Sequence, residues 1–266
     1  MKIGIFGCAG RMGRMLGAAA LATDGVDLIG GTEKKGSVHI GKDQGTLATG
    51  EPIGIKISDD SEGLVQSADV VIDFTVPVAT VTNAMLAAAH GTSIVIGTTG
   101  LNDKEMEKIV EAGKKSTIVH AGNMSLGVNL LVGLAAQVAK ALGPEFDIEV
   151  LEMHHKHKID APSGTALMLG RAAAEGRGVV HDNNSVMSRE GYTGEREQNT
   201  IGYATLRGGN VVGDHKIMFS GADERVELVH KAGDRSIFAR GAIRAAQWTE
   251  GKNPGLYTMR DVLGLI

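Results

Sequence analysis

Hydrophobic and polar positions in the first half of the chain follow two alternating rhythms. Short apolar, β-branched runs occur at residues 2–7, 26–30, 53–57, 69–74, 93–97 and 117–121. Stretches with helical spacing, 11–22, 78–89 and 103–115, lie between several of them. Val70-Val71-Ile72 and Ile94-Val95-Ile96 are apolar at every position, as strands covered on both faces must be. Strands alternating with helices in this way predict βαβ units around a parallel sheet. Residues 34–52 follow neither rhythm and read as a loop excursion.

From residue 125 the pattern changes. Residues 126–142 form a long apolar-periodic helix with leucines at 126, 130, 131 and 134, and 146–153 alternate as a strand. A helix over 165–174 follows Pro162. Strand-like runs then succeed one another at 201–206, 211–219 and 225–230 without helices between them, which predicts an antiparallel or mixed sheet. Residues 236–250 are helical again and return to the first domain. The expected fold is α/β: a Rossmann-type parallel-sheet domain of residues 1–125 plus 236–266, and an inserted α+β domain of residues 126–235 with a mixed sheet.

Composition narrows the function. Glycine supplies 38 of 266 residues, about 14% against an average near 7%. Five prolines and the lack of a three-residue period exclude a collagen-like chain. A hydrophobic content of 42% and a net charge of −4 exclude compositional disorder. Nine aromatic residues and a pI near 6.1 offer no nucleic-acid footprint. No apolar run approaches the roughly 18 residues of a membrane span. The single cysteine, Cys8, excludes an intrachain disulfide, and with no signal-peptide pattern the expected location is cytoplasmic.

Gly7, Gly10 and Gly13 form G-x-x-G-x-x-G between the first strand and the first helix. Glycine there permits a tight turn and lets backbone approach a pyrophosphate, which is held by free N–H groups at the positive helix end. An incidental strand-to-helix turn has the same spelling; its place in the first βαβ unit favours a dinucleotide. Glu33, twenty residues beyond Gly13, suits ribose hydroxyls. A carboxylate alone favours NAD; the adjacent Lys34 offsets its repulsion of a 2′-phosphate, so use of both NADH and NADPH is expected, although Lys34 and Lys35 also read as solvated surface lysines, Lys35 equally so. Gly97-Thr98-Thr99-Gly100 and Asn123 each follow a strand of the sheet, where ligands bind, although ordinary turn chemistry accounts for either alone.

The densest chemistry lies in Glu152-Met153-His154-His155-Lys156-His157-Lys158-Ile159-Asp160-Ala161-Pro162-Ser163-Gly164-Thr165-Ala166. Three histidines and two lysines fall within five residues. A metal site is one alternative, but interleaved lysines repel a cation, and no metal is expected. A solvated basic edge strand is another. An anion site with proton chemistry accounts for more. Strand alternation carried onward places His154, Lys156 and Lys158 on one face. Pro162-Ser163-Gly164-Thr165 then opens a helix with Asp160 or Ser163 as its cap, and N–H groups near Gly164 and Thr165 favour a carboxylate or phosphate. Histidine and lysine both suit general acid/base work. Arg235 matches a carboxylate clamp or a surface salt bridge equally. Cys8 reads as a packing residue, and histidines 39, 90, 120, 181, 215 and 230 as core or surface.

With these residues assembled, the chain resembles the bacterial dihydrodipicolinate reductases of lysine biosynthesis, also called 4-hydroxy-tetrahydrodipicolinate reductases. The resemblance covers nearly the whole length. Its motifs are Gly7 to Arg14, Ile72-Asp73-Phe74-Thr75 before Pro77, the loop at 97–100 and Asn123 with Ser125 and Gly127-Val128-Asn129. The 152–166 cluster, Arg189-Glu190-Gly191, Thr193-Gly194-Glu195-Arg196, Gly202-Tyr203-Ala204-Thr205 and Arg207-Gly208-Gly209 complete them. The resemblance implies NAD(P)H-dependent reduction of a small cyclic imine dicarboxylate. It implies His154 as acid/base and Lys158 as proton donor, with His155, Gly164 and Thr165 binding substrate; Ser163, Thr99 and Arg235 join them as candidates. For the cofactor it implies Gly7, Cys8, Ala9, Gly10, Arg11, Met12, Glu33, Gly97, Thr98, Thr99, Ala121, Gly122, Asn123 and Met124, with Lys34 standing where some members carry arginine. It further implies a homotetramer assembled through the second domain. Val76, Gly122 and Met124 depart from residues common in the family. Neither nucleic acid nor membrane is an expected partner.

Overall fold

The apolar runs of the N-terminal half become a parallel sheet. In a computed structural model describing residues 1–265, the chain runs β1 (Lys2–Phe6), α1 (Arg11–Leu21), β2 (Asp27–Thr32), α2 (Gln44–Thr49), α3 (Ser61–Ser67), β3 (Val70–Asp73), α4 (Pro77–His90), β4 (Ser93–Ile96), α5 (Asp103–Gly113) and β5 (Thr117–His120). It continues through α6 (Leu126–Leu142), β6 (Asp147–His154), α7 (Gly164–Arg177), α8 (His181–Asn184), β7 (Ser185–Val186), β8 (Ile201–Arg207), β9 (Asp214–Ser220) and β10 (Arg225–Lys231). It ends with α9 (Ser236–Trp248), β11 (Gly255–Tyr257) and α10 (Met259–Leu263). Two units result: Met1–Leu126 with the chain from Ser236 onward, and Gly127–Arg235.

The first unit holds a six-stranded sheet in the order β11-β5-β4-β3-β1-β2, with every pair parallel. Strand order reverses between β1 and β3, the point beyond whose carboxyl ends open parallel sheets take their ligands. The continuous apolar runs serve two cores. Val70, Ile72, Val95 and Val119 pack with α1 and α9, while Val71, Ile94, Ile96 and Ile118 pack with residues of α3, α4 and α5.

The run at 53–57 is not a strand. Ile53 and Gly54 donate their N–H groups to the Asp43 carboxylate, at 3.1 and 2.7 Å, and only isolated bridges form nearby, Asp43–Lys56 and Thr32–Ser58. The excursion at 34–52 contains α2, whose N-terminus the same Asp43 caps. Short α3, capped by Asp60, and β11, three residues long, also escape the periodicity.

The second unit holds a mixed sheet ordered β10-β9-β6-β8-β7, in which β8 runs parallel to β6 and β7 and β9 antiparallel to β6 and β10. Along β6, Ile148, Val150, Glu152 and His154 are buried and alternate with half-exposed residues. Ile148 and Val150 join Ile217, Phe219 and the apolar faces of α6 and α7 in one core. The expected strand from 211 begins only at Asp214. The loop before it instead binds the chain leaving β6: Gly208 N–H donates to His154 O at 2.9 Å, and Val211 O accepts from His155 N–H at 2.8 Å. Among the described residues, no helix is long and apolar enough to cross a membrane.

Candidate active site

The first unit builds its loops from backbone and small residues. Gly7 has φ +64°, and its N–H donates to Thr32 O at 2.8 Å, tying the loop to the end of β2. A Cβ on Gly13 would lie 2.2 Å from Gly7 O and 2.6 Å from Cys8 Cα, so α1 approaches the loop as closely as only glycine allows. Helix α1 starts after Gly10 with no side-chain cap. An uncapped N-terminus beside a glycine loop at the β1/β3 reversal fits a dinucleotide pyrophosphate. Glu33 Oε1 accepts from Ala9 N–H at 2.9 Å, placing its carboxylate against the loop, and Lys34 and Lys35 are exposed beside it. The Cys8 side chain is buried; burial, and secondly the Glu33 charge, push its thiol up to about 12, so it packs and is no nucleophile.

At the end of β3, buried Asp73 organises two neighbouring loops. Its Oδ1 accepts from Thr75 N–H and Thr75 Oγ1, each at 2.7 Å, from Thr80 Oγ1 at 3.1 Å and from Thr98 Oγ1 at 3.3 Å. Its Oδ2 accepts from Asn83 Nδ2 at 2.7 Å. Thr98 is therefore buried in this network, whereas Thr99 is exposed. Asn123 Oδ1 accepts from Ser125 N–H at 2.8 Å and shapes the loop after β5. The Met124 side chain lies in the core at 1% exposure, which leaves its backbone alone for contact with a cofactor.

The second unit gathers its chemistry where β6, β8 and β9 run side by side. Register pairs Glu152 with Thr205 and His215, and His154 with Arg207. Glu152, 1% exposed, receives a two-pronged contact from Arg207, with Nη1 at 2.8 Å from Oε2 and Nη2 at 2.9 Å from Oε1. His154 Nδ1 lies 2.6 Å from Oε2, and Ser163 N–H donates to Oε1 at 3.0 Å. Burial pushes the Glu152 carboxyl up, but the bonds from Arg207, His154 and Ser163 outweigh it and hold the group below its ordinary value.

The strand stops at His154, so the alternation expected through Lys158 does not hold. The chain turns instead, with Lys158 N–H donating to His155 O at 3.1 Å, and Lys158 Nζ reaches Asp160 Oδ1 at 2.8 Å. His155 is held below its ordinary value by desolvation, then by the charge of Arg235 and of its histidine and lysine neighbours. Arg235 thus lies within electrostatic range of the cluster. Ser163, not Asp160, caps α7: its Oγ accepts from Ala166 N–H at 3.1 Å and contacts His215 Nε2 at 2.9 Å. At 2% exposure Ser163 is a scaffold residue, while a Cβ on Gly164 would meet nothing within 4 Å, so the start of α7 is open.

Thr99 and the cofactor candidates belong to the first unit; His154, His155, Lys158, Ser163, Gly164, Thr165 and Arg235 belong to the second. Reading the chain locally missed His215. Its ring centroid lies 5.0 Å from that of His154, and burial, reinforced by the His154 charge, depresses it to about 4. It also left Glu152 and Arg207 without roles. Only strand register joins them to the cluster, and the one local hint is a glutamate two residues before the histidine. Among the described residues, no group of three or more His, Cys, Asp or Glu is arranged to hold a metal.

Comparison with known proteins bears on the whole chain. Residues 1–124 match the family model described as dihydrodipicolinate reductase, N-terminus, and residues 127–263 that described as dihydrodipicolinate reductase, C-terminus. The 4-hydroxy-tetrahydrodipicolinate reductase of Afipia carboxidovorans is 54% identical over 265 residues, covering 100% of this chain and 97% of that protein. That of Parvibaculum lavamentivorans is 54% identical over 266 residues, covering 100% and 98%. Among solved structures, a dipicolinate-bound dihydrodipicolinate reductase from Paenisporosarcina shares the fold, with TM-score 0.77, 23% identity and 97% of each chain covered.

Proposed function

The chain belongs to the dihydrodipicolinate reductase family, and from that premise we infer how its residues divide the work of the reaction. It is an NAD(P)H-dependent oxidoreductase that reduces dihydrodipicolinate, the form its 4-hydroxy hydrate gives on losing water, to tetrahydrodipicolinate. The observation that carries the site assignment is a histidine and a lysine, each held by a carboxylate, in the turn that leads to an open helix start. Residues 1–125 with 236–266 serve as the dinucleotide-binding domain, and residues 126–235 bind substrate.

Bound nicotinamide supplies the hydride. Gly7, Gly10, Arg11 and Met12 line the pyrophosphate cradle, Glu33 meets the ribose, and the loops at 97–99 and 121–124 border the nicotinamide end. The exposed Lys34 supports acceptance of NADPH as well as NADH. In the second unit, backbone N–H groups of Gly164 and Thr165 hold one substrate carboxylate, with His155 and Arg235 engaging the dianion further. Cationic surroundings draw charge out of the conjugated imine, favouring electron-rich species along the path. The anion left by hydride addition takes one proton, delivered from Lys158 or His154, so one hydride and one proton balance the reduction.

The second unit also serves assembly into a homotetramer. What supports this is its sheet face turned away from α6 and α7, where Leu151, Met153, Leu206, Lys216 and Val229 line a shallow cavity of about 200 Å³. Sedimentation equilibrium tests it, with monomer as the contrary result. A cytoplasmic location accords with a single, buried cysteine. The deciding assay supplies the freshly formed condensation product of pyruvate and aspartate semialdehyde and follows oxidation of NADH and of NADPH. Turnover is expected with both; no turnover with either sinks the assignment.

A further inference from the structure

The two proton-handling side chains of the second unit share one support. Glu152 and Arg207 sit on neighbouring parallel strands, two residues out of direct register, and their fork-to-fork contact closes at 2.8 and 2.9 Å. From one end of this pair a carboxylate oxygen reaches His154 Nδ1. From the other, Arg207 Nη2 also donates to Asp160 O, and the Asp160 carboxylate holds Lys158 Nζ. The pair therefore touches both halves of the turn that carries His154 and Lys158. It is tied as well to the start of α7 through Ser163 N–H.

We propose that Glu152 and Arg207 act as a positioning pair, fixing the ring orientation and tautomer of His154 and anchoring the turn that presents Lys158. This rests on the assignment of His154 and Lys158 to proton transfer. The chemistry follows from the donor inventory. An ionised carboxylate only accepts, so Nδ1 of His154 must carry its proton toward Glu152, and Nε2 is the nitrogen left for exchange. Space around Nε2 is kept by Gly213, where a Cβ would stand 3.0 Å from that atom. The charged and titratable neighbours of His154 are Glu152 on its own strand, Arg207 on β8, His215 on β9, and His155 and Lys158 on the turn. Among them Glu152 is the group in hydrogen-bond contact with the ring. A bidentate guanidinium is the partner that can hold a buried carboxylate ionised while leaving that oxygen aimed at a third group.

A double-mutant cycle tests it. E152Q preserves shape and removes the charge; R207K preserves charge and removes the fork. Each is made in the native enzyme and in H154N, with kcat, KM for cofactor and substrate, and thermal midpoint measured. General acid/base groups contribute about 10²–10⁴ in rate, which bounds what a residue acting through one of them can cost. E152Q is expected to lower kcat by about tenfold or more with cofactor KM unchanged, and by less than about twofold once His154 is already asparagine. R207K is expected to keep part of its effect in H154N, because it also anchors the Lys158 turn. Histidine ¹⁵N spectra of the native enzyme should show Nδ1 protonated, and E152Q should lose that preference. Equal effects of E152Q in both backgrounds, or an unchanged His154 tautomer in E152Q, overturn the positioning role. If E152Q does not fold, R207K decides: an effect of the same size in H154N and native enzyme overturns the pair. Native kcat in H154N itself would instead overturn the assignment of His154, a separately visible failure.

Discussion

Asp73 at the end of β3 and Glu152 near the end of β6 are both buried carboxylates, at 0% and 1% exposure, and their surroundings differ in kind. Around Asp73 stand hydroxyls, an amide and a backbone N–H, all neutral. Around Glu152 stand a guanidinium and an imidazole. The first arrangement stiffens loops. The second fixes which nitrogen of a titratable ring faces outward. On the proposed assignment, the region for the cofactor is served by neutral donors and bare backbone, and the region for proton transfer by charges whose balance depends on one another.

The largest test of this contrast removes the proton chemistry alone. Lys158→Met should lower kcat by about 10²–10⁴ while NADH and NADPH dissociation constants, read by fluorescence titration, stay within about twofold. Weakened cofactor binding would mean that the two regions are not separable in this way.

The next uses acid. His215 is depressed to about 4 from an ordinary 6.5, so between these values the unfolded chain takes a proton that the folded chain refuses. Stability should therefore fall as pH drops through that window, by on the order of 3 kcal/mol, and His215→Gln should flatten the fall. Glu152 acts at still lower pH: its stabilisation is present above the ordinary carboxylate value and is lost as pH falls through its lowered one. Denaturant titrations at pH 7 and pH 5 measure the difference. An identical slope in His215→Gln would remove His215 as the cause.

Smaller effects belong to the first unit. Asp73→Asn should cost about 1–3 kcal/mol of stability by leaving a donor facing donors, and should weaken cofactor binding while kcat at saturating cofactor is kept. A fall in kcat with unchanged binding would erase the contrast with Glu152. Smallest of all, Lys34→Glu should weaken NADPH relative to NADH by no more than about fivefold, as befits an exposed charge worth under ~1 kcal/mol. Equal loss for both cofactors would detach Lys34 from the 2′-phosphate.

Much of this arrangement is legible along the chain where the determining interactions are local. Val70-Val71-Ile72 reads correctly because each residue must be apolar for one of two cores. The start of α7 reads to within a residue, with Ser163 one of two candidate caps, because a cap bonds within three residues. The run at 53–57 misleads because its first two backbone donors go to the Asp43 side chain and Ile57 N–H to Lys42 O, partners no periodicity reveals. The continuation of strand alternation past His154 fails for a related reason: the chain turns there against residues 208–211. His215 reads as a background histidine because its importance arises from the pairing of β6 with β9, about sixty positions away.

That pairing has a kinetic consequence. β6 lies in the middle of its sheet, and neither strand beside it is its neighbour in sequence: β8 starts at residue 201 and β9 at 214. The cluster at 154–158 is contiguous, so it is synthesised and brought together early, yet its supporting carboxylate meets Arg207 only after a loop of more than fifty residues has closed. During refolding, recovery of activity should therefore lag behind recovery of helical signal, and the lag should lengthen when that loop is extended by insertion. The proposed proton-transfer cluster is spelled out in one short stretch, but its support waits on contacts more than fifty residues apart in the chain.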